Sequence, residues 1–121
     1  MQCRKTILVV DDDKDILLFL KDRLNALGYD VLMAGNGKEG LEALQRQSVD
    51  GVLLDLNMPV MDGMTMLDKL GNSFASLPVI VMSANGHRAE LLKGLVKGAM
   101  DFLIKPIAQD ELASKCWRLF Q

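Results

Sequence analysis

Ile7-Leu8-Val9-Val10-Asp11-Asp12-Asp13 is a run of four apolar, mostly β-branched residues that stops on three aspartates. Apolar side chains at consecutive positions predict a strand buried on both faces, whereas a half-exposed strand would alternate. Beyond the aspartates the period changes. Ile16, Leu17, Leu20, Leu24 and Leu27 recur at helical spacing, and Gly28 is positioned to close that helix. The same pairing of a short apolar run with a helical stretch then repeats along the chain. Val31-Leu32-Met33-Ala34 predicts a second strand, and Asn36 caps a helix carrying Leu41 and Leu44. Val52-Leu53-Leu54 closes on Asp55, and a loop rich in Pro and Gly leads into a helix near 62–70. Pro78-Val79-Ile80-Val81-Met82 stops at Ser83, and a helix over about 87–97 ends at Gly98. Phe102-Leu103-Ile104 closes on Lys105-Pro106, followed by a helix over about 108–120.

Five βα units in strict alternation predict an α/β fold with a parallel sheet covered by helices on both faces. Right-handed crossovers and the count of five favour a single doubly wound, flavodoxin-like domain of strand order 2-1-3-4-5; a closed barrel would need eight units. The 121 residues suffice for one domain, and with 50% hydrophobic and 25% charged residues they suit a packed globule rather than a disordered or fibrous chain. Fourteen basic and sixteen acidic side chains leave a net charge of −2 without a basic run, so direct nucleic-acid binding by this domain is not expected. The longest uninterrupted apolar run, Ile16 to Leu20, is far too short to span a membrane, and no apolar signal segment follows Met1. Cys3 and Cys116 lack any metal-binding or redox spacing and read as reduced thiols of a cytoplasmic protein.

In open parallel sheets ligands bind at the carboxyl ends of the strands. Here Asp11 and Asp12 follow strand one, Asp55 ends strand three, Ser83 strand four and Lys105 strand five. The proposed order makes these strands neighbours, so residues far apart in sequence should meet in one crevice. Three close carboxylates need a cation, and Mg²⁺ is the hard ion that takes one or two carboxylates beside water and phosphate oxygens. A metal, a lysine and a hydroxyl together suit a phosphoryl group. The only histidine, His87, is expected to face solvent, and no cysteine falls in these loops. That leaves a carboxylate as nucleophile, with Asp55 best placed and Asp11 and Asp12 suited to the metal. Each residue also has an ordinary reading: Asp13 or Asp12 as a helix cap, Ser83 as a cap of the fourth helix, Lys105 as a surface lysine. Their joint pattern carries the functional one.

With these residues in view, the chain from about 5 to 120 resembles the receiver domain of bacterial two-component response regulators. Ile7 to Asp13 resembles the family's first strand and acidic pair, and Asp55-Leu56-Asn57-Met58-Pro59-Val60-Met61-Asp62-Gly63 its phosphoacceptor strand end and loop. Ser83-Ala84 and Lys105-Pro106, the latter usually joined by a cis bond in the family, complete the set. The resemblance implies one receiver domain over 1–121, phosphorylated on Asp55 by a histidine kinase or phosphotransfer protein and dephosphorylated by itself, with Mg²⁺. Asp12 and Asp55 would ligate Mg²⁺ by carboxylate, Asn57 by its backbone carbonyl, and Asp11 largely through water. Ser83 would bond the phosphoryl oxygen, and Lys105 would pair with phosphate or, before phosphorylation, with Asp55. Ser83 and Phe102 would form the switch, signalling through the face of helix 4, strand 5 and helix 5, although Phe102 also reads as an ordinary core residue. Asn57 and Asn85 occupy positions that influence phosphoryl lifetime in the family.

On the last helix, Leu112, Cys116 and Leu119 form one apolar stripe and Ala113, Trp117 and Phe120 a second. One stripe suffices for a core helix. Trp117 is therefore expected at a partner surface, including a possible homodimer, unless it is packed on its neighbours; Phe19 on the first helix is a weaker candidate. The main alternative function is an aspartyl-phosphate phosphatase of the haloacid dehalogenase type, with Asp11 as nucleophile and Asp13 as acid/base. The short chain, with no cap domain or late acidic pair, argues against it. A flavodoxin-like cofactor binder would place a phosphate against Asp11-Asp12-Asp13, and a docking-only receiver would not need the full acidic set.

Overall fold

The computed structural model describes residues 4–56, 58, 63–73, 76–84 and 88–120. Asn57, Asn85, His87 and Cys3, all singled out above, lie outside them. Strands β1 (Thr6–Val10), β2 (Asp30–Ala34), β3 (Gly51–Asp55), β4 (Val79–Ala84) and β5 (Asp101–Lys105) alternate with five helices. These are α1 (Lys14–Ala26), α2 (Gly37–Arg46), α3 (Gly63–Ser73), α4 (Arg88–Val96) and α5 (Gln109–Leu119). All strand pairs are parallel and their order is β2-β1-β3-β4-β5, as the alternation predicts.

Local chemistry fixes the element ends. The Asp13 carboxylate accepts the backbone N–H groups of Asp15 at 2.9 Å and Ile16 at 3.4 Å, capping α1. Asn36 accepts the Glu39 N–H at 2.9 Å, while the Glu39 carboxylate reaches back to the Gly35 N–H at 2.9 Å, a reciprocal arrangement that seals the start of α2. Gly28 and Gly98 follow α1 and α4 with φ of +100° and +118°, a region that costs glycine little.

The strands split their side chains between two cores. Leu8, Val10, Leu54 and Val81 face α2, α3 and α4, meeting Leu44, Met66, Leu70 and Leu91. Ile7, Val9, Leu53 and Ile80 face α1 and α5, meeting Leu20, Leu24, Leu112 and Cys116. Each fully buried aliphatic side chain contributes about 1.5–3 kcal/mol, so the two layers together hold the sheet between its helices.

Two expectations change in detail. Ser83 lies inside β4 rather than beyond it, because the parallel ladder continues through Ser83 opposite Ile104 and Ala84 opposite Lys105. At the end of α5, Phe120 caps the helix and belongs to the core rather than the outer stripe, while Leu119 is only partly buried. The Phe120 ring lies over Gly51 at the start of β3, where a Cβ would come within 2.3 Å of it, so glycine there makes the seat.

Candidate functional site

Among the described residues only three polar or charged ones are buried, and they are Asp11, Asp55 and Ser83. A polar group taken from water is costly without partners, so their concentration at the carboxyl end of the sheet marks the site. The strand order supplies the convergence. β1, β3, β4 and β5 lie side by side and deliver Asp11, Asp55, Ser83 and Lys105 to the same end.

One carboxylate oxygen from each of Asp11, Asp12 and Asp55 lies within 4.8 Å of the other two. Asp11 and Asp55 are buried and Asp12 is exposed, so the cluster opens to solvent on the Asp12 side. Lys105 Nζ donates to Asp11 Oδ2 at 2.7 Å and stands 3.5 Å from Asp55 Oδ2. Lys105 therefore pairs with both buried carboxylates, Asp55 as expected and Asp11 at the shorter distance. Asp11 Oδ1 in turn accepts the Asp13 N–H at 2.9 Å. Both oxygens of Asp11 are thus engaged with the protein. Burial pulls the Lys105 pKa down, but the hydrogen bond to Asp11 and the charges of Asp55 and Asp11 outweigh it and leave it raised. Lys105 is therefore a fixed cation at neutral pH. Among the described residues one ammonium faces three carboxylates, and the excess negative charge is the donor set a hard divalent cation requires.

The loops that frame this end are tightly set. The Lys105–Pro106 peptide bond is cis. Gly63 opens α3 directly against the end of β3: its N–H donates to the Leu56 carbonyl at 3.1 Å, and a Cβ would fall 2.3 Å from the Asp55 carbonyl oxygen. Sequence reading treats Gly63 as part of a loop motif and misses this close approach. The available signal was a glycine at the first position of a helix, where a cap or proline is commoner. Beside the site, Asp15, Ile16 and Phe19 of α1 face Lys105, Pro106 and Ile107 across an apolar groove of about 480 Å³. Phe19 also stacks with Arg23, whose guanidinium carbon lies 5.2 Å from the ring centre.

Farther along β5, Phe102 is half-buried and packs on the core beneath α4. It shares that face with Ile104, the partner of Ser83 in the ladder. Trp117, by contrast, is 71% exposed on α5. Leu92 and Val96 on α4 and Met100 in the turn before β5 are exposed as well.

With the geometry fixed, comparison with known proteins is direct. A family model described as the response regulator receiver domain matches residues 7–116. The transcriptional regulatory protein PrrA of Mycobacterium tuberculosis is 38% identical over 109 residues, covering 90% of this chain and 47% of that protein. The transcriptional regulatory protein GlrR of Escherichia coli is 39% identical over 106 residues, covering 88% of this chain and 24% of that one. The chain therefore spans less than half the length of these two relatives. Among solved structures, the Francisella response regulator 1452 receiver domain superposes with a TM-score of 0.89 and 34% identity, over 97% of each chain.

Proposed function

We propose, from the premise that this chain belongs to the response-regulator receiver family, that Asp55 is its phosphoacceptor. Receiver domains are the signalling switches of two-component systems, and response regulators receive their phosphate from histidine kinases. The observation that carries the reading is the charge imbalance at the carboxyl end of the sheet: among the described residues, three carboxylates against the single Lys105 ammonium, with two of the carboxylates buried. In that imbalance Asp11 is already bonded through both oxygens, by Lys105 and by the Asp13 N–H.

In the proposed reaction an Asp55 carboxylate oxygen attacks the phosphorus of a phosphohistidine. The P–N bond breaks, its electron pair stays on the imidazole, and a P–O bond to Asp55 forms. Lys105, raised in pKa and fixed by Asp11, offsets charge on the transferred phosphoryl oxygens. Ser83, buried in β4 one strand from Asp55, would donate its hydroxyl to the same group. Asp11, Asp12 and Asp55, with the Asn57 backbone carbonyl, would hold Mg²⁺, which when bound neutralises carboxylate and phosphoryl charge. Water later attacks phosphorus, releasing inorganic phosphate and restoring the Asp55 carboxylate. The apolar groove beside Lys105 suits the helix of a phosphodonor, which would bring its histidine to the open Asp12 side.

Phosphorylation would bias a two-state surface through contacts that differ between the states. Ser83 and Phe102 are assigned to that switch, and α4, β5 and α5 to its output face. Trp117, Leu92, Val96 and Met100 give this face exposed apolar anchors for a partner or a second copy of the chain. Trp117→Glu should weaken self-association or partner binding without loss of fold; an unchanged oligomeric state and affinity would remove Trp117 from that role. No described helix is long and apolar enough to cross a membrane. We take 1–121 as one receiver domain acting in the cytoplasm without direct nucleic-acid contact.

Phosphorus NMR of the protein with Mg²⁺ and acetyl phosphate tests the chemistry. An acyl-phosphate signal that disappears with EDTA or Asp55→Asn is expected. A signal that survives Asp55→Asn and vanishes with Asp11→Asn would favour the phosphatase reading.

A further inference from the structure

β5 is an edge strand, so one side of its backbone has no neighbouring strand. At Phe102 that open side is closed by side chains. The Phe102 N–H donates to the Asp101 carboxylate at 2.8 Å, and the Phe102 carbonyl accepts from the Lys115 ammonium. The same ammonium lies 4.6 Å from the centre of the Phe102 ring and 3.2 Å from Asp101 Oδ1. Arg118 holds the other Asp101 oxygen at 2.7 Å. Lys115 is only 14% exposed, so its charge depends on these contacts for much of its solvation. The Phe102 ring is one of them.

We infer that Lys115, held by Asp101, is a positioning residue that latches the Phe102 ring in its resting place and opposes the switch. The inference rests on the phosphoacceptor reading above. If Phe102 turns inward on phosphorylation, its ring leaves the ammonium while the backbone bonds stay. A largely buried cation then loses one face of its surroundings and must draw in water. The resting state is favoured by that difference alone, so removing the cation should make the switched state easier to reach. Lys115→Met keeps the length and apolar stem of the side chain, whereas Lys115→Arg keeps a cation over the ring.

The test uses fluorine NMR of protein carrying para-fluorophenylalanine, with the Phe102 signal assigned by Phe102→Leu, titrated with beryllofluoride in Mg²⁺. Wild type should show the Phe102 signal moving as the phosphoryl mimic binds. Lys115→Met should reach half-saturation at about five-fold lower beryllofluoride, equivalent to about 1 kcal/mol. Lys115→Arg should restore the wild-type midpoint, and Asp101→Asn, which frees Lys115 without touching the ring, should shift it in the same direction by less. Thermal unfolding checks that each variant is folded, and Asp101→Asn decides the matter if Lys115→Met is not. A normal wild-type response with unchanged midpoints in Lys115→Met and Asp101→Asn would overturn the latch alone. So would a Lys115→Arg shift as large as that of Lys115→Met, since packing rather than charge would then be responsible. A wild type that shows no response to beryllofluoride would remove the phosphoacceptor reading and the latch with it.

Discussion

The two ends of β5 carry opposite kinds of charge cluster, four residues apart. At its start the charges match: Lys115 and Arg118, both from α5, hold the two oxygens of Asp101, and Lys115 also lies 3.9 Å from a Glu111 oxygen. Arg118 is largely exposed, and the charges of the cluster are balanced by their own neighbours. At its end Lys105 is outnumbered by carboxylates from β3 and the loop after β1, two of them buried. The first cluster needs nothing further. The second is left with excess negative charge in a place with little water, the setting that the proposed Mg²⁺ and phosphoryl group would complete. The contrast teaches that the location of charge in a sheet is a weak clue, and its imbalance under burial a strong one.

Replacing the cation at the deficient end should have the larger consequence. Lys105→Met is expected to slow phosphorylation of Asp55 by acetyl phosphate by about a hundredfold, the scale of losing one preorganised charge. Asp101→Asn should leave that reaction within a few-fold of wild type, on the scale of one surface contact. Equal losses in the two variants, timed by mass spectrometry, would break the comparison.

Crowding at the same end sets the next effect. Gly63→Ala places a methyl group against the Asp55 carbonyl and the Leu56 Cα. Both are backbone, so neither can give way cheaply, and the expected cost is about 1–3 kcal/mol in urea unfolding. An unchanged midpoint would mean that α3 starts farther from β3 than described.

The smallest effect belongs to the balanced end. For Asp101, burial raises the carboxyl pKa, but the Phe102 N–H, Lys115 and Arg118 together outweigh it and leave it below the usual value. A carboxylate with a depressed folded pKa stabilises the fold above its unfolded pKa, and the contribution is lost as pH falls through the folded value. Asp101→Asn should therefore destabilise the protein at neutral pH by less than about 1 kcal/mol, since Arg118 is solvent-screened. The gap should close as the pH is lowered below the ordinary aspartate range, and salt should narrow it at neutral pH. A gap that is constant with pH would assign the loss to packing.

The two ends also differ in how far they could be read from sequence. Asp11, Asp55 and Lys105 each end an apolar run, so strand order alone carries them together, and the five runs fix that order. Ser83 is less legible, because a buried hydroxyl does not stop a parallel ladder, and β4 runs on through Ala84. The nearer partner of Lys105 is decided by distances of an ångström between two carboxylates, below what spacing can resolve. Phe120 and Leu119 are adjacent on a helix, and only the cleft left by Gly51 selects the phenylalanine for the core. The Asp101 cluster was invisible, since Lys115 and Arg118 read as an ordinary polar helix face until α5 is seen packed across the edge of β5.

The central claim is that the excess negative charge is there to serve Asp55. Borohydride reduction of the protein after exposure to acetyl phosphate and Mg²⁺ converts an aspartyl phosphate to homoserine, which peptide mapping locates. The account predicts homoserine at position 55 alone and none when EDTA is present. Homoserine at position 11 or 12, or an unmodified chain from a folded, Mg²⁺-binding protein, would contradict it.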